Sequence, residues 1–372
     1  GVEPQSETVW RQADRYQVPR LAFINKMDRM GANFEACVAE IRTRLRANPV
    51  CLQLPIGQAE TFSGVIDLLE MRALAYDEGT EGRDIRAFEI PAELKAAAAT
   101  ARAALCEQAA EADDTLMEAY FENPELSAEV LRASLRRSTI AGKVVPVLCG
   151  SSLRNKGVQQ LLDAVVWYLP SPLDRPPVEA TDLKSGNKVT REQSASAPLT
   201  ALIFKIATDS YVGRLFFVRV YAGTLKKGQN VYNPRSRKRE RILKLVRLFA
   251  DDQIEVEALG PGEIGAIVGL KEATTGDTLC AEHQPVYLER ITVPEPVMFI
   301  AIEPRSRADK EKLEQSMAQL AAEDPTCQVR VDAETGQTIL SGMGELHLEV
   351  LVDRLRREFK CEANTGRPMV SY

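Results

Sequence analysis

Four consecutive residues, Asn25-Lys26-Met27-Asp28, carry the side chains needed to recognise a guanine base. The Asp28 carboxylate can accept hydrogen bonds from N1–H and the exocyclic amine of guanine, two donors that adenine does not offer together. Asn25 can donate to the O6 and N7 edge, and the stem of Lys26 can lie over the base while its ammonium stays in water. Buried polar pairs of this kind can reject a base without the partner groups by roughly 10⁴-fold or more. The same tetrapeptide also fits an ordinary solvated turn, so it does not decide the function alone.

A second stretch of small residues, Gly150-Ser151-Ser152, follows an apolar run and precedes a helix. The runs before the two stretches, 20–24 and 143–148, are typical of buried parallel strands. Ligands of open α/β sheets bind at the carboxyl ends of strands, and small residues let backbone N–H groups approach a flat ligand. By itself the second stretch is more typical of a helix-capping turn. Together the two stretches predict a guanine site formed by Asn25, Lys26, Asp28, Ser151 and Ser152.

The composition is that of a globular protein of several domains. Hydrophobic residues make up 45% and charged residues 27% of the 372 positions, and this length predicts two to four domains. The net charge of -6 argues against unspecific coating of nucleic acid but leaves room for a local basic patch. No apolar run approaches the roughly 18 residues of a membrane span, and no secretory signal opens the sequence. We therefore expect a cytoplasmic protein with no membrane partner.

Metal and disulfide chemistry are not indicated. The seven cysteines are scattered, no C-x-x-C occurs, and the only histidines are His283 and His347. This pattern favours reduced thiols in a cytoplasm over a zinc site or a disulfide framework. No carboxylate pair suited to acid–base work is evident, so we predict no catalytic residue and no metal ligand.

The order of helix-like and strand-like segments predicts three domains. Residues 1–175 have an α/β pattern, and the chain between Asp28 and Gly150 far exceeds the ~30 residues of one βαβ unit, which predicts an inserted subdomain at about 57–141. The last helix of residues 1–175 has apolar residues at 158, 161, 162, 165 and 166 that suit one helical face. A polar linker and short β-like runs over 176–293 predict an antiparallel β-barrel. The order β-α-β-β-α-β over 294–372 predicts a ferredoxin-like unit.

A basic cluster precedes one strand of the predicted barrel. Its five members are Arg235, Arg237, Lys238, Arg239 and Arg241. Such a cluster is either a solvated hairpin or a set of phosphate contacts to RNA, and the residues alone leave both readings open.

Several runs resemble the bacterial translational GTPase elongation factor G. They are GVEPQSETVWRQ at 1–12 leading to NKMDR at 25–29, GSS at 150–152 with NKGVQ at 155–159, ATTGDTLC at 273–280, and SGMGELHL at 341–348. The resemblance covers essentially the whole chain in order. It implies that Asn25, Lys26 and Asp28 form the fourth guanine-nucleotide motif and that Ser151 and Ser152 form the fifth. Alanine is usual in the family where Ser152 stands, and a backbone donor remains after that change.

The resemblance also implies a function for the parent protein. Such a protein hydrolyses GTP to GDP with Mg²⁺ and moves transfer RNA and messenger RNA through the ribosome. Its partners are ribosomal RNA and small-subunit proteins, with transfer RNA and messenger RNA indirectly, and the basic cluster would contact phosphates of small-subunit ribosomal RNA. We expect a monomer in the cytoplasm. Its fold would join part of a P-loop-type GTPase α/β domain with an inserted subdomain, an antiparallel β-barrel domain and a ferredoxin-like α+β domain.

One departure from the family pattern changes the expectation for this chain. No G-x-x-x-x-G-K-[ST] loop and no D-x-P-G-H segment occurs, although these parts hold the phosphates and Mg²⁺ in such enzymes. The chain also begins at Gly1 and stops before the last two domains of the family. We therefore expect an internal fragment that keeps the guanine loops, binds GTP weakly or not at all, holds no Mg²⁺ and does not hydrolyse GTP. A release or ribosome-protection GTPase, and a non-catalytic RNA-binding or ribosome-binding module, remain alternatives.

Overall fold

A computed structural model describes residues 1–209, 213–250, 252–289, 291, 293–306 and 309–369. The chain divides into two compact units, Gly1–Asp174 and Arg175–Tyr372. Within the described ranges, no helix is both long and apolar enough to cross a lipid bilayer.

The first unit combines helices with two small sheets. Its helices are α1 (Pro4–Arg15), α2 (Phe34–Arg44), α3 (Ala92–Ala112), α4 (Asp114–Glu122), α5 (Ala128–Ile140) and α6 (Val158–Tyr168). Its strands are β1 (Ala22–Ile24), β2 (Pro49–Cys51), β3 (Gln53–Ile56), β4 (Gly64–Asp67), β5 (Arg72–Tyr76), β6 (Ile85–Phe88) and β7 (Val145–Cys149).

A three-stranded parallel sheet lies at the centre of this unit. Its order is β1-β7-β2, and Ile24 at the end of β1 is paired with Cys149 at the end of β7. The carboxyl ends of β1 and β7 therefore meet at one edge of the sheet, which is where ligands bind in such folds. Between β2 and β7 the chain builds an antiparallel sheet, β3-β4-β5-β6, and the helices α3 to α5. These elements form the inserted subdomain.

One hydrophobic core joins the central sheet to this insertion. It contains Leu105 of α3, Leu131 of α5, Leu148 of β7 and Tyr168 of α6, all at most 2% exposed. Local signals set the helix boundaries around it. The side chain of Asn33 accepts a hydrogen bond from the N–H of Ala36 at the start of α2, and Ser127 caps α5 in the same way.

The buried face of α6 differs from the one expected. Ala164 and Tyr168 are buried and Leu161 packs against the core, whereas Leu162 and Val166 are 61% and 75% exposed. The expectation that the apolar face through 158, 161, 162, 165 and 166 packs on the core is therefore wrong, since Leu162, Val165 and Val166 are exposed. A stripe spaced i, i+3 and i+7 is occupied here by a leucine, an alanine and a tyrosine, so hydrophobicity alone selects the wrong side of the helix.

The second unit consists mostly of strands. Its strands are β8 (Val178–Asp182), β9 (Lys188–Arg191), β10 (Thr200–Asp209), β11 (Gly213–Ala222), β12 (Leu225–Lys226), β13 (Asn230–Asn233), β14 (Lys238–Arg241), β15 (Lys244–Phe249), β16 (Asp252–Val256), β17 (Ala258–Leu259), β18 (Ile264–Val268), β19 (Thr278–Cys280), β20 (Val286–Tyr287), β21 (Met298–Pro304), β22 (Gln328–Val331), β23 (Thr338–Gly342) and β24 (Ala363–Gly366). Its helices are α7 (Asp309–Glu323) and α8 (Glu345–Arg357).

Antiparallel pairing dominates the first part of this unit. Eight strands form one sheet in the order β14-β13-β19-β10-β11-β18-β15-β16, and β12 pairs with β17. A separate small sheet has the order β20-β8-β9. Along β11 buried and partly exposed residues alternate, so Phe216, Val218 and Val220 face a core shared with Ile203 and Leu245.

The last part of the unit has the strand order β22-β23-β21-β24, with every pair antiparallel. The helices α7 and α8 lie between these strands in sequence and contribute Leu320 and Leu351 to a core with Ile302 and Leu340. This β-α-β-β-α-β order is that of a ferredoxin-like unit. The predicted fold class, with an α/β domain carrying an insertion, a β domain and an α+β domain, is confirmed.

Candidate nucleotide-recognition site

The first predicted stretch leaves the central sheet directly after β1. Lys26 has a φ of +61°, a left-handed conformation that turns the chain away from the strand. Met27 is buried, its N–H donates to the carbonyl of Gly150 at 3.1 Å, and its carbonyl accepts from Ala59 at 2.9 Å. The backbone of the tetrapeptide is therefore tied both to the second loop and to the insertion, which fixes the directions of the side chains of Asn25 and Asp28.

The second predicted stretch leaves β7 and closes on itself. Ser151 and Lys156 exchange two backbone hydrogen bonds of 2.9 and 3.0 Å. A side chain at Gly150 would place its Cβ 2.1 Å from the carbonyl oxygen of Lys156 and 2.8 Å from Phe23 Cζ. Only glycine fits this close approach, and its presence allows the loop to fold over the end of β1.

The two stretches touch through Asn25 and Ser152. Asn25 Nδ2 donates to Ser152 Oγ at 2.8 Å, and the N–H of Ser152 donates to Asn25 Oδ1 at 2.9 Å. Oδ1 also accepts from the N–H of Lys26 at 2.8 Å. Residues 127 positions apart are thus held within one hydrogen-bonded ring at the edge of the sheet.

The remaining polar groups define what the site can bind. Asn25 keeps a second amide N–H beyond the one given to Ser152. Asp28 is partly exposed, and among the described residues none donates a hydrogen bond or forms an ion pair with its carboxylate. Asn25 is exposed as well, so a donor and an acceptor lie on the outer side of the contact. Such an arrangement matches a ligand that offers both an acceptor and two adjacent donors.

The backbone donors of the second stretch are already engaged. The N–H of Ser151 donates to Lys156, and that of Ser152 donates to Asn25. A ligand oxygen would have to take over the Ser152 N–H from Asn25 Oδ1. The hydroxyl of Ser151, a residue 1% exposed, has no hydrogen-bond partner within the described part of the chain. Ser151 is thus a packing residue of the loop, whereas Ser152 faces outward.

One residue near the site lies in the family-like run NKGVQ at 155–159 but was not predicted to take part in the site. Lys156 is 7% exposed and its Nζ donates to the carbonyl of Phe62 at 3.3 Å, linking the second loop to the insertion. The sequence signal available for it was its place in that run, between Asn155 and Gly157, which the structure shows in left-handed conformation.

The basic cluster occupies the hairpin of β13 and β14, and Arg235 is anchored at its base. Arg235 Nε contacts Asp277 Oδ1 at 2.6 Å, and its Nη2 donates to the carbonyl of Glu272 at 2.6 Å. Asp277 is 4% exposed and also accepts from Asn233 Nδ2 and the N–H of Thr274, each at 2.9 Å. The hydrogen bond that Arg235 donates to Asp277 raises the pKa of the Arg235 guanidinium, despite partial burial that lowers it. Arg235 therefore holds the hairpin in place.

The other four cations of the hairpin are exposed. Lys238 pairs with Glu272, and Arg239 Nε pairs with Glu282 Oε2 at 2.7 Å. Arg237 and Arg241 have no carboxylate partner among the described residues. Exposed pairs contribute about 0–1 kcal/mol, so Lys238 and Arg239 can exchange their partners at small cost. Arg237 and Arg241 are the two cations that can contact a new anion directly.

The described part of the chain offers no group of three or more histidine, cysteine, aspartate or glutamate side chains that could hold a metal ion. His347 is engaged on both ring nitrogens: Nδ1 accepts from the N–H of Met343 at 3.0 Å, and Nε2 lies 2.9 Å from Asp324 Oδ2. Its Nε2 therefore carries the proton, and the ring joins the turn before α8 to the end of α7.

Family models match three consecutive parts of the chain. Residues 1–171 match the elongation factor Tu GTP binding domain, residues 198–282 match elongation factor G domain 2, and residues 293–367 match elongation factor G domain III. A crystal structure of a protein from Thermus thermophilus is similar to the whole chain, with a TM-score of 0.82 and 27% sequence identity. The match covers 100% of this chain and 52% of that one, so the chain spans about half the length of the solved protein.

Proposed function

On the premise that the chain is a translational GTPase of the elongation factor G and elongation factor Tu type, which its three matching domains support, we propose that it is part of a ribosomal translocase. In this role the first unit recognises the guanine of GTP or GDP, and the second unit contacts the ribosome. The observation that carries the nucleotide part of the proposal is the ring of hydrogen bonds between Asn25 and Ser152, which joins the two predicted loops. Asn25, through its second amide N–H, and Asp28, whose carboxylate has no partner among the described residues, both keep groups for a ligand.

Guanine recognition depends on the unpaired side of these two residues. The Asp28 carboxylate accepts from N1–H and N2–H of the base, and the second amide N–H of Asn25 donates to O6 or N7. Hydrogen bonds to a charged group contribute about 1.5–3 kcal/mol each. Adenine offers no pair of adjacent donors to Asp28, so its binding would leave that carboxylate unpaired. The stem of Lys26, exposed beside them, covers the face of the base.

Saturation-transfer NMR with guanosine and adenosine as probes tests this recognition. We expect clear transfer of saturation from the 372-residue chain to guanosine and much weaker transfer to adenosine. Asp28→Asn should reduce the apparent affinity for guanosine by about tenfold, the equivalent of one charged hydrogen bond. Asp84→Asn changes an exposed aspartate of the same unit and should leave the signal unchanged. Equal signals from both nucleosides would refute guanine recognition.

For the phosphates we propose weak binding by these 372 residues. The sequence contains no G-x-x-x-x-G-K-[ST] loop, whose backbone and lysine cradle the β- and γ-phosphates in P-loop GTPases. Mg²⁺ is held in such enzymes by the serine or threonine of that loop, and no residue of the candidate site replaces it. We therefore propose that this chain neither holds Mg²⁺ nor hydrolyses GTP. Titration calorimetry should find GTP no tighter than millimolar, and a micromolar dissociation constant would contradict the proposal.

For the ribosome we propose that Arg237 and Arg241 contact phosphates of small-subunit ribosomal RNA. Both are exposed on the basic hairpin and lack a carboxylate partner among the described residues. Phosphate contacts position a protein and are weakened by salt because they release counterions. These properties favour the two arginines over Arg235, whose charge is compensated by buried Asp277.

Co-sedimentation with small ribosomal subunits at several salt concentrations tests this contact. The double variant Arg237→Glu and Arg241→Glu should weaken binding at low salt and reduce the salt slope by about one for each phosphate that no longer meets an arginine. Arg42→Glu alters an exposed arginine of α2 with no ion pair in the described chain, and it should bind as the parent does. Unchanged binding of the double variant at low salt would count against the contact.

A further inference from the structure

A cleft of about 700 Å³ opens beside the basic hairpin. On one side lies the small sheet β20-β8-β9, and on the other lie the turn of the hairpin and the segment before β19. Its lining includes Glu179, Lys188, Arg235, Arg237, Tyr287 and Glu289. The volume falls within the roughly 300–1,000 Å³ typical of small-ligand pockets.

An exposed aromatic ring forms part of the wall. Tyr287 is 42% exposed at the end of β20, where its backbone is fixed by pairing with Thr181 of β8. The preceding residue, Val286, is fully buried and anchors the strand. A ring held on a strand and open to a cleft can stack on a planar base, and single-stranded nucleic acid is bound in this way without regard to exact sequence.

The charges of the cleft are arranged in two groups. Arg237 lies at the hairpin side and lacks a carboxylate partner among the described residues. Glu179 and Glu289 lie with Tyr287 on the side of the small sheet, and Glu179 is paired with Lys188 at 3.0 Å across an exposed contact. A phosphate suits the first group, whereas carboxylates repel phosphate but accept hydrogen bonds from the amino groups of bases.

We propose that this cleft binds one unstacked nucleotide of a single-stranded RNA segment, with its base on Tyr287 and its phosphate on Arg237. The proposal rests on the RNA contact proposed above for Arg237 and adds a base-binding site to it. Bases with an exocyclic amine can donate to Glu179 or Glu289, so adenine, cytosine and guanine are favoured over uracil. A duplex keeps its bases stacked and does not fit.

Fluorescence anisotropy of the 372-residue chain with labelled RNA tests the proposal. The probes are a short oligoadenylate, an oligouridylate of equal length and a duplex of equal length. We expect the oligoadenylate to bind more tightly than the oligouridylate, and both more tightly than the duplex. Tyr287→Ala should weaken oligoadenylate binding by about tenfold, as expected for the loss of one base–aromatic stack.

Two further variants separate stacking from folding. Tyr287→Phe keeps the ring and should retain the affinity for oligoadenylate. Tyr16→Ala removes a tyrosine that is 63% exposed on the segment following α1 and should not change it. Thermal denaturation monitored by circular dichroism checks that Tyr287→Ala is folded. If that variant is not folded, the affinity of Tyr287→Phe is compared with that of the parent chain. A weaker affinity of Tyr287→Phe would overturn the stacking role.

Other outcomes also overturn the proposal. These are equal affinity of Tyr287→Ala and the parent, equal binding of duplex and single strand, or no RNA binding at all. If one of them occurs while the Arg237 and Arg241 double variant still weakens ribosome binding, the nucleotide cleft is refuted and the ribosomal contact stands. If Tyr287→Ala no longer binds oligoadenylate but the double variant binds ribosomes normally, the ribosomal contact is refuted instead.

Discussion

Replacing Asn25 by alanine should loosen the contact between the two loops without unfolding the first unit. The substitution removes the 2.8 Å hydrogen bond to Ser152 Oγ and the 2.9 Å bond from the Ser152 N–H. A hydrogen bond contributes about 0.5–1.5 kcal/mol net, and Asn25 is exposed, so we take about 1–2 kcal/mol for the pair. Local opening of the Ser152 amide then becomes about 5- to 30-fold more frequent, since about 1.4 kcal/mol is a factor of ten.

Hydrogen exchange measured by NMR or mass spectrometry over residues 150–157 reports this opening directly. Ser152→Ala removes only the hydroxyl and keeps the backbone bond to Asn25, so its exchange should rise by less than half as much on a logarithmic scale. Asn33→Ala removes the cap of α2 and should speed exchange at Ala36 alone. If Asn25→Ala leaves the exchange of Ser152 unchanged in a folded chain, the hydrogen-bonded ring does not hold the loops together.

Three further predictions concern stability and reactivity. Leu131→Ala should lower the free energy of unfolding of the first unit by about 2–5 kcal/mol because the Leu131 side chain is fully buried. Denaturant titration monitored by tryptophan fluorescence measures this change, since both tryptophans lie in the first unit. A change below about 1 kcal/mol would contradict the prediction. Burial raises the pKa of Asp324, but hydrogen bonds, including one from His347, lower it more, so the net pKa is below its ordinary value. The stabilising contribution of the Asp324 carboxylate is thus present above about pH 4 and disappears as the pH falls through the folded pKa. Asp324→Asn should therefore flatten the acid limb of a curve of unfolding free energy against pH. An unaltered acid limb would show that ionisation of Asp324 does not stabilise the fold. Burial also raises the pKa of the Cys51 thiol to about 11, so iodoacetamide at neutral pH should modify partly exposed Cys37 first, with peptide mass spectrometry deciding the order.

Much of the fold followed from local patterns. The α/β, β and α+β regions were predicted from the period of apolar residues and from turn residues, and the fold class is confirmed. The place of Asn25 and Ser152 at one sheet edge follows from a general property of parallel strands, whose carboxyl ends lie together. Periodicity could not predict which face of α6 is buried. Whether Leu162 or Ala164 faces the core depends on the elements that pack against the helix.

The hydrogen bonds within the candidate site could not be predicted either. That the backbone donors of Ser151 and Ser152 are used internally depends on the closure of a short loop. The basic hairpin illustrates the same limit. Its sequence presents five similar cations, yet Asp277 neutralises Arg235 from 42 positions further along the chain. A long-range contact of that kind leaves no trace in the spacing of the basic residues, although it decides which of them keep an uncompensated charge.

The strand β1 has a consequence for how the parallel sheet can be extended. It lies at the outside of the parallel sheet, and in the described chain no strand pairs with its other side. β2, at the opposite margin, begins with Pro49, which cannot donate to an added strand, whereas β1 reads Ala-Phe-Ile and has no such protection. In the described residues this margin is therefore open to pairing with one further strand, whether from another part of a longer chain or from a second copy.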